Sequence, residues 1–151
     1  MIEQQIEQDV KSALLAGDAS RVSTLRGLKS VLLYVKVASG KREIGLVDDE
    51  VIPLLAKEAK KRQESADLYI QGARPELAAK ELAEKAIIET YLPEQLSEAD
   101  IAVVVNEIID ASGAVGLAGM GQVIGQVKQR LGATADGSII ARLAKERLQQ
   151  P

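Results

Sequence analysis

Tyr91-Leu92-Pro93-Glu94-Gln95-Leu96-Ser97-Glu98-Ala99-Asp100 carries a helix stop, a break and a helix start within ten residues. Pro93 has no amide proton, clashes with the turn before it and drives Leu92 from helical geometry. The helix arriving through Ile87, Ile88 and Tyr91 is therefore expected to end there. Ser97 opens the next one. Its hydroxyl is placed to accept from the amide three residues on, and Asp100 stands where a Glu would complete a capping box. Leu96 and Ile101 flank the cap as a hydrophobic staple. Everything before the joint reads as one set of helices and everything after it as another. The expected organisation is an N-terminal helical domain of about four helices over 1–92, a linker at 93–96 and a C-terminal three-helix bundle over 97–151.

Upstream, Ile2, Ile6, Val10, Ala13 and Leu14 recur at helical spacing and predict a first helix to about Ala16, with Gly17-Asp18 ending it and restarting the chain. Val22, Leu25, Leu28, Leu32 and Val35 predict a second to about Ser39. Its continuous Val31-Leu32-Leu33-Tyr34-Val35 run predicts that more than one face is covered; a strand there would have no partner. Gly40 to Val47 is a loop, and Asp48 or Asp49 is expected to cap a third helix that tolerates Pro53 in its first turn and stops at Gly72. The fourth starts at Pro75, a good first helical residue.

Downstream, Ile101, Val104, Val105, Ile108 and Ile109 predict a fifth helix ending at Gly113. Val123, Ile124, Val127 and Leu131 predict a sixth ending at Gly132, and Ile139, Ile140, Leu143 and Leu148 a seventh. Between the fifth and sixth lies Gly116-Leu117-Ala118-Gly119-Met120-Gly121. Without a preceding strand or a Gly-Lys-Ser/Thr end it reads as tight helix-to-helix turning rather than a phosphate cradle.

Composition supports an all-α protein with an aliphatic core. Apolar residues make up 46% of the 151, with no Phe or Trp and three tyrosines, Tyr34, Tyr69 and Tyr91. The absence of Cys and His excludes thiolate nucleophiles, disulfides, thiolate zinc sites and imidazole bases. The acids are dispersed along helices, so no catalytic residue, metal site or cofactor is expected. Met1-Ile2-Glu3-Gln4-Gln5 has neither a basic leader nor an apolar signal core, and no apolar run approaches the roughly 18 residues of a membrane span. The expectation is a cytoplasmic protein without membrane contact.

Charge is distributed in blocks. Residues 93–119 hold five acids (Glu94, Glu98, Asp100, Glu107, Asp110) and no base, whereas from Met120 onward five bases (Lys128, Arg130, Arg142, Lys145, Arg147) accompany Asp136 and Glu146. These five are the candidate nucleic-acid contacts, although bases near helix C-termini also complement the helix dipole. An alternative basic face is Lys57, Lys60, Lys61 and Arg62 on the third helix, interleaved with Glu58 and Glu64 and within reach of Glu81 or Glu84 on the fourth.

Several segments together resemble the YqeY family, stand-alone relatives of the C-terminal tail of the amidotransferase B subunit (GatB). They are Arg26-Gly27-Leu28-Lys29-Ser30; Lys57 with Lys61-Arg62-x-x-Ser65-x-x-x-Tyr69-x-x-Gly72; and Glu81-x-x-Glu84 leading into Tyr91-Leu92-Pro93-Glu94-Gln95-Leu96-Ser97. Met120-Gly121-x-Val123-Ile124 and Ala135-Asp136-Gly137 complete the set. Ile124 stands where the family often has Met, and Ala133-Thr134 where Gly-Arg is common. The resemblance implies an all-helical protein of two parts, the second akin to a tail that helps hold tRNA while other parts convert misacylated tRNA to the amide with glutamine as amido donor. It points to a noncatalytic module with tRNA, an aminoacyl-tRNA amidotransferase or another protein as partner. A protein-interaction adaptor without RNA contact is the alternative, and a carbon-nitrogen ligase in its own right ranks third.

Overall fold

The computed structural model describes residues 1–150, and within them the regular elements are helical, with no strand. The α-helices are α1 (Ile2–Leu15), α2 (Ala19–Ala38), α3 (Asp48–Gln71), α4 (Pro75–Glu89), α5 (Glu98–Ser112), α6 (Met120–Leu131) and α7 (Gly137–Gln149). Short 3-10 turns at Leu117–Gly119 and Gly132–Thr134 introduce α6 and follow it. The chain divides between Leu92 and Pro93 into two compact units.

In the first unit Ile6 and Val10 of α1, Leu25, Leu28 and Leu32 of α2, Val51 and Leu55 of α3 and Ile88 of α4 form one buried aliphatic cluster. Burying each such side chain contributes roughly 1.5–3 kcal/mol, so tertiary contact rather than propensity holds these helices. α3 and α4 form a long antiparallel hairpin in which Ala66 and Ala78 are buried; side chains this small let the helices approach closely.

Four expectations need correction here. Leu14 is exposed, so the inward stripe of α1 is Ile6, Val10 and Ala13. In the Val31–Val35 run only Leu32 is buried; Leu33 and Tyr34 are 46% and 76% exposed, because neighbours cover one face of α2. Neither Asp48 nor Asp49 caps α3. The N-cap is Val47, whose amide donates to Glu50 Oε2 at 3.0 Å, while Asp48 Oδ1 accepts from the Ile2 amide at 2.8 Å and ties α1 to α3. Pro53 lies beyond the first turn of α3 and is exposed, which directs its ring away from the core.

In the second unit Ile101, Val105, Ile108 and Ile109 of α5 close on Val123 and Val127 of α6 and on Ile140, Ala144 and Leu148 of α7. Ser97 Oγ accepts from the Asp100 amide at 3.2 Å, and Leu96 packs on the cluster that holds Ile101, so both cap and staple form. Among the described residues the Asp100 carboxylate makes no return bond to Ser97; Asp is one methylene shorter than the Glu this bond favours. Leu96 N–H donates to the Thr134 carbonyl at 2.8 Å and Gln95 Nε2 to that of Ala133 at 2.7 Å, which fastens the residues after Pro93 to the α6–α7 connection. The glycine-rich stretch is a turn. Gly113 ends α5 at φ 68°, and a Cβ on Gly119 would fall 2.9 Å from Ala114 Cβ.

Candidate functional site

The basic C-terminal block and the acidic block before it fold against each other. Arg130 on α6 pairs with Glu107 on α5 at 3.0 Å. From α7, Arg142 pairs with Glu98 at 2.5 Å and Arg147 with Asp110 at 3.5 Å. Arg142 also reaches Glu146, one turn further along α7, at 3.3 Å. The bond to Glu98, followed by that to Glu146, raises the Arg142 pKa. Three of the five candidate cations are thus engaged along α5. The remaining two, Lys128 and Lys145, are exposed and make no ion pair with α5 among the described residues. The Lys128 stem lies over the start of α7, its Cε 3.2 Å from where a side chain on Gly137 would begin. Residues 93–150 contain seven carboxylates and five cationic side chains, so the bundle presents no surplus of positive charge.

The α3 set divides in the same way. Glu58 is buried, a rare position for a carboxylate, and accepts from Arg62 Nη1 at 2.8 Å and Lys61 Nζ at 3.0 Å. Burial alone pushes the Glu58 carboxyl up, but the bonds from Lys61 and Arg62 outweigh it and hold the group below the ordinary carboxylate range. Arg62 Nε lies 3.3 Å from Glu84 Oε2 yet off the hydrogen-bonding direction, so this N–H is buried without an acceptor. Glu84 is therefore the α4 partner anticipated from the sequence, while Glu81 forms no ion pair among the described residues. Arg62 serves the α3–α4 hairpin, and Lys57 and Lys60 are exposed and unpaired among the described residues.

Other charged groups hold the first unit together. Glu3 on α1 accepts from Lys36 on α2 and from the Leu46 amide, at 3.1 Å for the latter. Burial raises the Glu3 carboxyl, and these bonds bring it below its usual range. Lys41 pairs with Glu50 across the start of α3. Tyr91, just before the joint, donates its hydroxyl to Asp9 on α1, and burial followed by this carboxylate raises its pKa. Among the described residues no group of three or more acids is placed to hold a metal ion.

A surface that motif analysis left unused is the exposed side of α2. Arg26, Lys29 and Ser30, from one of the quoted family segments, line a groove of about 480 Å³ beside α1. The signal was their helical spacing of three and four, polar and exposed next to the exposed Leu33.

These features define a helical protein of two units in which many charged residues pair with one another, while other cations and the grooves beside α1 and α2 remain at the surface. The chain belongs to the YqeY family, whose profile, described as Yqey-like protein, matches residues 3–148. It is similar to Altered inheritance of mitochondria protein 41, mitochondrial, of Kluyveromyces lactis, with 31% identity over 87 residues, 57% of this chain and 45% of that protein. The protein of the same name from Eremothecium gossypii is 29% identical over 87 residues, 58% of this chain and 46% of that one. The chain spans about half the length of the curated relatives it matches.

Proposed function

We propose that this chain is a noncatalytic accessory module of glutamine-dependent tRNA amidation, meeting tRNA or the amidotransferase while the carbon-nitrogen bond is made elsewhere. The observation that carries this reading is the family match across both units, residues 3–148, in a family resembling the tRNA-holding tail of the amidotransferase. Of the five terminal bases, Lys128 and Lys145 are the best suited to phosphate, since Arg130, Arg142 and Arg147 would first have to leave their carboxylates. Lys57 and Lys60 are the alternative contacts.

Labelled total tRNA titrated at two salt concentrations tests the reading. Salt-sensitive binding is expected, with Lys128→Gln plus Lys145→Gln weakening all tRNAs alike and reducing the salt slope by about one per lost contact. Binding unchanged by this pair but abolished by Lys57→Gln plus Lys60→Gln would move the RNA face to α3. Absence of salt-dependent binding would favour the second reading, a protein-binding adaptor. Its support is the internal pairing of the C-terminal cations and the acid surplus of that unit, which weaken attraction to a polyanion.

A further inference from the structure

Two grooves of about 480 and 460 Å³ run along the α1–α2 hairpin and share Arg26 in their walls. Leu32 and Leu33 contribute apolar surface to the first, and Ala13, Leu14 and Val22 to the second. The polar rim of the first is neutralised from within, as Glu3 pairs with Lys36 and Glu7 lies 3.9 Å from Lys29. In the second, Asp18 is engaged as the cap of α2, accepting from the Arg21 amide at 3.1 Å. Arg26 is exposed and forms no ion pair among the described residues, which leaves one uncommitted guanidinium where the two grooves meet.

The α2 stripe continues past the first groove through Tyr34 and Val37, which are 76% and 58% exposed. From Ala19 to Val37, at 1.5 Å per residue, it extends about 27 Å, the length of a helix of roughly 18 residues. A long trough between two helices, apolar along its floor and bearing a single open cation near its middle, suits one kind of occupant. We propose that it docks an amphipathic helix of a partner protein, whose apolar side chains three and four apart seat against Leu14, Val22 and Leu33 and whose carboxylate near mid-length pairs with Arg26. Arginine suits this position because its fork holds a carboxylate bidentately and a central charged anchor selects the partner's register.

Two fluorescein-labelled helical peptides of roughly 18 residues, Leu at every third or fourth position and either Glu or Lys midway, provide the probe. Fluorescence anisotropy with the full chain is expected to show the Glu peptide binding at least about tenfold more tightly. Arg26→Glu should reverse the preference and Leu33→Asp should abolish binding of both. Both residues are exposed, so unchanged thermal unfolding by circular dichroism verifies that the variants fold. Equal affinity for the two peptides, or no saturable binding by either, overturns the proposal. So does a wild-type dimer, seen in sedimentation and dissolved by Leu33→Asp, since a second copy would then occupy the trough. The affinity of the same variants for tRNA is expected to stay at the wild-type level, so this proposal and the tRNA reading fail on separate readouts.

Discussion

Ser97 and Ala73 illustrate opposite kinds of helix end. The Ser97 hydroxyl satisfies an amide that would otherwise be orphaned at the start of α5. Ser97→Ala should therefore lower stability by about 1 kcal/mol, read as a shift in the urea midpoint without a change in slope. Asp100→Asn should shift it much less, since only its backbone takes part in the cap. Ala73 holds φ 56° after α3, a conformation that costs a residue with a Cβ about 1 kcal/mol. Ala73→Gly relieves that strain but adds freedom to the unfolded chain, and the expected net effect is a gain of about 0.5 kcal/mol and a higher melting temperature. The Ser97 cap was legible because a hydroxyl before an apolar run has one common use. The strain at Ala73 was not. Gly72 reads as the stop, and the left-handed position falls one residue later because the Arg74 amide bonds back to the Tyr69 carbonyl at 2.7 Å.

At the scale of the helix, α3 combines the most legible pattern with the least legible chemistry. Its apolar spacing predicts Val51, Leu54, Leu55, Ala59, Ala66 and Tyr69 as the inward face; Val51, Leu55, Ala59 and Ala66 are buried there, whereas Leu54 and Tyr69 are only half-buried. The burial of Glu58 on that helix depends on where α4 lies, which sequence spacing does not report. Glu58→Ala should destabilise the first unit by about 2 kcal/mol, because it leaves the partly buried Arg62 without its nearest carboxylate. Glu58 and Glu3 both have depressed pKa values in the fold. Their contribution is present in full above the unfolded carboxylate pKa of about 4.3 and is lost as pH falls through the lower folded values. Denaturant midpoints measured from pH 6 downward should thus decline below about pH 4, and Glu58→Gln should flatten that decline. On α2 the Val31–Val35 run predicts cover on more than one face, whereas the fold covers one. Composition marks a segment as apolar but does not say how many neighbours it has.

Over the whole molecule, each unit has its own closed aliphatic cluster. Residues 93–150 expressed alone should therefore remain helical and unfold cooperatively by circular dichroism; a broad, non-cooperative melt would show that this core does not suffice. Within that fragment Arg142→Gln or Arg147→Gln should each lower the melting temperature only slightly, an effect that fades at high salt because these pairs are solvent-exposed. The two charge blocks were visible in the sequence, but their mutual neutralisation was not. Helical periodicity fixes which residues share a face, whereas pairing between α5 and α7 requires the register of one helix against another. The joint also has a mechanical consequence. With Gln95 and Leu96 latched onto Ala133 and Thr134, a pull on the chain at Pro93 does not begin by peeling α5 from its first turn. The two bonds carry the load first and pass it to the α6–α7 connection, so a higher rupture force is expected than for an unlatched helix end.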